Sequence, residues 1–399
     1  MILLENKKDC CGCAACVQIC PKQCIQLMED NEGFLYPKID QLACIDCGRC
    51  DLVCPVINQS EKRKPIKIYA AKNRDEQIRE ESSSGGIFTL IAEQVIMEGG
   101  CVFGACFDDN WGVVHDCREK IGDLGAFRGS KYLQSEVRDT YNQCKKYLKQ
   151  SRKVLYSGTP CQIAGLKKFL NKDYSNLLTV DFICHGVPSP KVWQLYKQEL
   201  LDKYNDIYSQ NTSELTNISF RNKTEGWKKF SFIANIKLST KEDVIFRETL
   251  DNNIYMKGFL RDLYLRPSCY ECPSRNFKSD SDITIADFWG VENELKEFDD
   301  DKGVSLLMIN TLKGESELSK LDSNIQLILS SYEQALRGNP SMENNPSMHK
   351  KRDSFFADLE KKKLSELIKD NINPTFKEKI FLLKRRIRNK FLYLWKVRK

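Results

Sequence analysis

Past residue 67 the chain alternates short apolar runs with longer amphipathic stretches. IYAAK (68–72), CVFGACF (101–107), KVLYSG (153–158) and LLTVDFIC (177–184) have the length and composition of buried strands. GIFTLIAEQVIM (86–97), which runs into Gly99-Gly100, VRDTYNQCKKYLK (137–149) and PCQIAGLKKFLN (160–171) carry apolar residues at helical spacing. Strand and helix patterns in alternation predict an α/β body with a mixed or partly parallel sheet. Ahead of it, IQLMED (25–30) and GFLYPKI (33–39) read as two short strands around a turn at Asp30-Asn31-Glu32-Gly33. The charged stretch from Gln59 to Lys67 reads as a linker.

Composition narrows the class. With 399 residues, 41% hydrophobic and 29% charged, the chain has enough apolar surface for two or three cores, which excludes disorder as its dominant state. No run approaches the ~18 uninterrupted apolar residues of a spanning helix. MILLENKKDCC does not read as a secretory signal, so a cytoplasmic location is expected. In a reducing compartment, 18 cysteines point to metal or redox chemistry rather than disulfides.

Those cysteines are patterned. Cys10, Cys13, Cys16 and Cys20, followed by Pro21, spell C-x2-C-x2-C-x3-C-P, and Cys44, Cys47, Cys50 and Cys54, followed by Pro55, repeat it 34 residues later. Such a run wraps three thiolates around one cubane, and in two-cluster ferredoxins the fourth binds the cluster of the other half. The spacing therefore predicts one [4Fe–4S] cluster on Cys10, Cys13, Cys16 and Cys54 and a second on Cys44, Cys47, Cys50 and Cys20. Gly12 and Gly48 are expected to ease the backbone over the inorganic cores. Zinc sites more often pair C-x2-C motifs across longer gaps. Cys11 and Cys24 fall outside the ligand register and are expected to be bystanders. The segment reads as an α+β ferredoxin-like dicluster domain.

Loops at the strand ends of the body carry further candidates, because α/β proteins usually build sites there. Ser82-Ser83-Ser84-Gly85-Gly86 precedes a helix and can either cap it or hold a phosphate. Arg128-Gly129-Ser130-Lys131 presents two cations. No complete G-x-x-x-x-G-K-[ST] or G-x-G-x-x-G appears. Cys161 follows SGTP, Cys184 ends a strand, and Cys269 and Cys272 form a C-x2-C. Four thiols are the number a third cubane needs; zinc, buried apolar cysteines or a nucleophile are the alternatives.

Taken together, SSSGGIFT, FRGSKY, LYSGTPCQIAGLKKFL, DFICHGVPSP, SFRNKTEGWKKFSF and LRPSCYECPSRNFKSDSDITIADFWG closely resemble the family of coenzyme F-420 hydrogenase/dehydrogenase beta subunits, over roughly residues 65 to 300. The family includes deazaflavin-reducing hydrogenase and formate dehydrogenase beta subunits and plant 7-hydroxymethyl chlorophyll a reductase, and an N-terminal ferredoxin fusion occurs in it. The resemblance implies a bound FAD beside a cluster, with Cys161, Cys184, Cys269 and Cys272 as that cluster's ligands. It also implies Ser84, Gly85, Gly86, Thr89, Arg128, Ser130, Lys131, Gly158 and Thr159 as flavin-site residues. His185 is a candidate proton donor or a loop-orienting residue.

The C-terminal segment is basic. Residues 377–399 carry a net charge of +9 against +7 for the whole chain, which leaves the remainder at −2. Ile380, Leu383, Ile387, Phe391 and Leu394 recur at helical spacing, so a helix lying on an anionic membrane surface or on a partner is expected, and nucleic-acid binding is not. The expected organisation is a ferredoxin domain (1–60), two parts of the flavin-binding α/β body (65–150 and 151–335) and a helical basic tail (336–399). The expected function is electron transfer between a ferredoxin-like partner, [4Fe–4S] clusters, FAD and an organic two-electron substrate, either deazaflavin coenzyme F-420 or a sugar or lipid-linked intermediate. The alternative is a non-catalytic electron-transfer subunit of a larger dehydrogenase or hydrogenase.

Overall fold

The computed structural model describes residues 2, 4–209, 213–239, 243–321 and 323–373. The basic segment 377–399, and the helix expected of it, lie outside the described residues.

Near the N-terminus the two short apolar runs pair as an antiparallel hairpin, β1 (Ile25–Glu29) with β2 (Leu35–Ile39). Its turn is the expected one: the Asp30 carboxylate accepts the amides of Glu32 and Phe34 at 3.0 and 2.9 Å. Each cysteine run leads into a short helix, Ala15–Ile19 and Arg49–Leu52. The repeat is closer in backbone than in residue type. Gly12 (φ +73°) corresponds to Asp46 (+50°), and Ala14 (+59°) to Gly48 (+68°), so the two glycines occupy different positions of one shared left-handed pattern.

The body holds two further sheets. In chain order its strands are β3 (Lys67–Asn73), β4 (Cys101–Phe107), β5 (Val113–Arg118), β6 (Val154–Ser157), β7 (Leu177–Phe182), β8 (Glu214–Asn222), β9 (Ser231–Lys237), β10 (Asp243–Thr249), β11 (Ile283–Asp287), β12 (Ser305–Ile309) and β13 (Ile325–Leu329). Eight of them form a mixed sheet in the order β13-β3-β12-β11-β7-β6-β4-β5. β3, β4, β6, β7 and β11 run one way, and β5, β12 and β13 run against them. The carboxyl ends of the five co-directional strands therefore lie along one edge. The loops after β3, β6, β7 and β11 leave from it, as the α/β pattern predicts.

Helix Ile87–Met97 packs Ile87, Leu90, Ile91 and Val95 on the central sheet beside Leu155, Leu178 and Ile283. Thr140–Lys149 and Pro160–Leu170 contribute Tyr141, Leu148, Ile163 and Phe169 to a separate core that also holds Cys11, Cys13 and Val53. β8, β9 and β10 form an antiparallel sheet, which the alternation did not predict. Its Phe220 and Phe232 join Trp193 and Tyr255 in an aromatic core. Among the described residues, no helix is long and apolar enough to cross a membrane.

Buried polar contacts fasten the N-terminal module to the body. The Arg352 guanidinium donates to both Glu32 carboxylate oxygens at 3.0 and 2.6 Å, with both side chains largely buried. Arg266 donates to the carbonyls of Cys10 (2.8 Å) and Leu35 (2.9 Å). At Gly165 the helix backbone comes so near the module that a Cβ would lie 2.8 Å from Cys13 Sγ.

Candidate functional site

The N-terminal thiols gather around two separate cavities. One is lined by Cys10, Cys13, Cys16 and Cys54, together with Cys11 and Pro55. The other is lined by Cys44, Cys47, Cys50 and Cys20, together with Cys24 and Pro21. Each cavity thus takes three cysteines from one run and the last cysteine of the other. Burial, then the neighbouring Cys10 and Cys54 thiols, push the Cys16 thiol up to about 12.

A third group of thiols sits at the carboxyl edge of the central sheet. Cys161 opens the helix after β6, Cys184 follows β7, and Cys269 and Cys272 flank the end of the short 3-10 turn Pro267–Glu271. Burial holds the Cys184 thiol well above its ordinary value, and Cys269, Cys161 and Cys272 add to the effect, which marks the four as neighbours. Cys184 and Cys272 line one small pocket together with Pro160, Asp181 and Arg275. Buried thiols that raise one another are stable as neutral thiols or as ligands to a cationic centre, but not as free thiolates. This donor set therefore suits an iron–sulfur core. Among the described residues no three His, Cys, Asp or Glu side chains converge on a single ion, whereas cubane ligands stand apart because each binds a different iron.

Cys11 is buried and interacts with both Cys13 and Cys161, so it links the first thiol cavity to the third thiol group. Cys24 contacts Cys20 across 3.4 Å.

The residues that the resemblance implied for a flavin lie on loops that the fold brings together, and several are already engaged. Ser83 Oγ accepts from the Ser130 amide (2.6 Å) and contacts the Ser130 hydroxyl (2.9 Å), which joins the two loops. Ser84 Oγ donates to the Val304 carbonyl (2.8 Å), and the Gly85 amide donates to Ser305 Oγ (2.9 Å). Gly86 (φ +78°) is the N-cap of helix Ile87–Met97 with no side-chain cap, so the serines do not cap it. Thr89 is buried and faces Arg128 Nε at 3.4 Å, while Arg128 pairs with Glu81. Lys131 donates to the Arg128 carbonyl (3.0 Å), and burial lowers its ammonium to about 8. Thr159 and Gln162 form a capping box on helix Pro160–Leu170. A Cβ on Gly158 would meet Gln162 Oε1 at 3.1 Å and His115 Nε2 at 3.3 Å.

His115 is a residue that sequence reasoning missed, since nothing in VVHDCR (113–118) marks it. It is 2% exposed, its Nε2 contacts the Ser157 carbonyl at 3.0 Å, and Nδ1 has no partner. Burial lowers its pKa to about 4, so the ring is neutral at pH 7, with Nε2 as donor and Nδ1 as a bare acceptor. His185 is pinned: Nε2 meets Asp262 Oδ1 at 2.6 Å, and the ring stands edge-on to Phe259.

A duplicated cysteine module fused to an α/β body with further thiols at its sheet edge defines an iron–sulfur electron-transfer protein. Residues 9–58 match the 4Fe-4S dicluster domain, and residues 151–335 match the C terminus of the coenzyme F420 hydrogenase/dehydrogenase beta subunit. The chain thus carries a domain of the coenzyme F420 hydrogenase/dehydrogenase beta-subunit type behind an N-terminal 4Fe-4S dicluster domain. It is 26% identical over 166 residues to the F subunit of F420H2 dehydrogenase from Methanosarcina mazei, a match covering 38% of this chain and 46%, about half, of that protein. It is 43% identical over 65 residues to a 7Fe ferredoxin of Hydrogenibacillus schlegelii, covering 16% of this chain and 77% of the ferredoxin. A solved chain of the F420-reducing [NiFe] hydrogenase complex from Methanosarcina barkeri aligns over 78% of this chain and 91% of its own length, with 18% identity and a TM-score of 0.42.

Proposed function

We propose that this chain is an iron–sulfur flavoprotein oxidoreductase that links a ferredoxin-like partner to an organic two-electron substrate. The observation that carries the reading is the crossed sharing of eight N-terminal thiols between two cavities, with Cys11 linking the first cavity to a third thiol group. In this reading Cys10, Cys13, Cys16 and Cys54 hold one [4Fe–4S] cluster, Cys44, Cys47, Cys50 and Cys20 a second, and Cys161, Cys184, Cys269 and Cys272 a third. Clusters supply one-electron transfer, and an FAD supplies the conversion to two-electron chemistry.

The chain's own groups divide the remaining work. Ser83 and Ser130 hold two loops together beside the proposed flavin. Lys131, with its lowered pKa, offers a cation that gives up its proton near neutrality. His115 Nε2 donates to the Ser157 carbonyl beside Gly158 and so steadies that loop. Asp262 holds His185 beside the third thiol group, where it serves as a proton donor. The substrate is the deazaflavin coenzyme F-420 or a sugar or lipid-linked intermediate.

Anaerobic iron, sulfide and flavin quantification tests the reading. About twelve irons and one FAD per chain are expected from three cubanes; about eight irons removes the third cluster, and colourless, zinc-bearing protein removes the whole account. A second reading, a non-catalytic wiring subunit, draws on the likeness to a protein named as part of a dehydrogenase. Obligate co-purification with a catalytic partner chain favours it, whereas a free chain that reduces an acceptor with ferredoxin favours the first.

A further inference from the structure

Arg221, the second-to-last residue of β8, is 6% exposed, yet two of its guanidinium nitrogens, Nε and Nη2, have no hydrogen-bond partner. Everything else about the side chain is fixed. Its carbon lies 4.4 Å from the Phe230 ring centre and 5.0 Å from that of Trp289. Nη1 donates to Asp287 Oδ2 at the carboxyl end of β11. Asp287 cannot turn to serve the other nitrogens, because its Oδ1 accepts from Trp227 Nε1 at 2.9 Å. Trp227 in turn stacks on Trp289, with ring centres 4.7 Å apart and planes 4° from parallel.

Nε–H and Nη2–H form one edge of the guanidinium and point the same way, the arrangement that takes two oxygens of a carboxylate or phosphate side by side. A buried donor left unmatched is destabilising, so two on a rigidly held Arg call for a ligand. The surroundings suit an anion at this strand end. The Tyr132 hydroxyl lies beside the Arg221 guanidinium, and Ser130 lies beside Tyr132 in turn. Two residues along the strand, Lys223 Nζ donates to the carbonyls of Arg79, Ser84 and Lys302 at 2.6, 3.1 and 2.7 Å, which ties the serine loop to the same place.

We propose that the Nε/Nη2 edge of Arg221 is the anchoring point for an oxyanion, a phosphate or carboxylate of a bound ligand. The proposal stands on the geometry of Arg221 and not on the flavin reading.

The test titrates the full chain, purified anaerobically, with inorganic phosphate by calorimetry, as isolated and after flavin removal, alongside R221K. Binding in the wild type that weakens at least tenfold in R221K is expected. Heat only in the flavin-free form assigns the oxyanion to the cofactor, and heat in both forms assigns it to a second ligand; either supports the site. No binding to the wild type in either form, or equal affinity in R221K, overturns it and leaves the edge to a buried water. Should R221K not fold, wild-type crystals soaked in selenate decide: an anomalous peak within hydrogen-bond reach of Nε and Nη2 supports the site, and none there overturns it. A chain that takes up no flavin yet binds phosphate through Arg221 sinks the flavin reading alone.

Discussion

Arg266 sets a positive charge against Cys10: its Nε donates to the Cys10 carbonyl at 2.8 Å, and Nη2 lies 3.5 Å from Cys10 Sγ. The guanidinium is fully buried, also donates to Gln134 at 2.9 Å, and lies over the Tyr36 ring. A fixed cation beside one ligand favours the more negative, reduced state of whatever iron centre that ligand holds. Replacing Arg266 with Gln is expected to lower the potential of the first proposed cluster by about 1–2 kcal/mol, or roughly 50–90 mV for one electron. Potentiometric titration followed by electron paramagnetic resonance measures this. Unchanged potentials with intact clusters refute the argument.

The crossed thiol pattern makes a sharper forecast. Cys54→Ser should damage the same centre as Cys13→Ser, and Cys20→Ser the same centre as Cys47→Ser. Spectra that pair Cys54 with Cys47 instead would mean that each run closes its own site.

For the third thiol group, Cys184→Ser is expected to reduce the iron content from about twelve to about eight per chain while leaving both N-terminal signals in place. Iron analysis of the variant decides, and an unaltered iron count places Cys184 among ordinary buried thiols.

His115 predicts a pH dependence. Its folded pKa, about 4, lies below the ordinary 6.5, so between these values the unfolded chain binds more protons than the folded one. The stability of the neutral ring is fully present above pH 6.5 and falls as pH drops toward 4, by up to about 3 kcal/mol, with roughly 1 kcal/mol gone by pH 5.5. Melting curves from pH 7.5 to 5.5 should be steeper for the wild type than for His115→Gln. Parallel curves contradict the assignment.

The Glu32–Arg352 pair is an expected weak point when halved. Glu32→Gln leaves a buried guanidinium uncompensated, at a cost of about 3–5 kcal/mol. A lower melting temperature and faster hydrogen exchange in the β1–β2 hairpin are expected, and a variant as stable and as protected as the wild type would show that the pair contributes little.

The cysteine module was legible because its information is local: eleven consecutive residues set each ligand run. Most of the strand and helix alternation through residue 184 was legible for the same reason, although β5 and the short helix Glu76–Glu81 were not read. What could not be read was non-local. Glu32 and Arg352 meet across 320 positions of chain. The open edge of Arg221 depends on Asp287, Trp289 and Phe230 folding around it, and no spacing rule encodes that. Sequence reasoning allowed the serine loop either to cap the helix or to hold a phosphate, but the Ser83 and Ser84 hydroxyls are engaged by Ser130 and Val304. The left-handed backbone pattern was half visible, since glycine marks two of its four positions, while Ala14 and Asp46 adopt it under the constraint of the surrounding fold.

The near-contact at Gly165 bears on the segment between the two parts of the chain. With Cys13 seated against helical backbone, any larger residue at 165 pushes the module off its berth. The stretch from Gln59 to Lys67 then joins two parts already held together by packing, and in the proposed function reducing equivalents would cross a fixed seam instead of being ferried by a swinging arm.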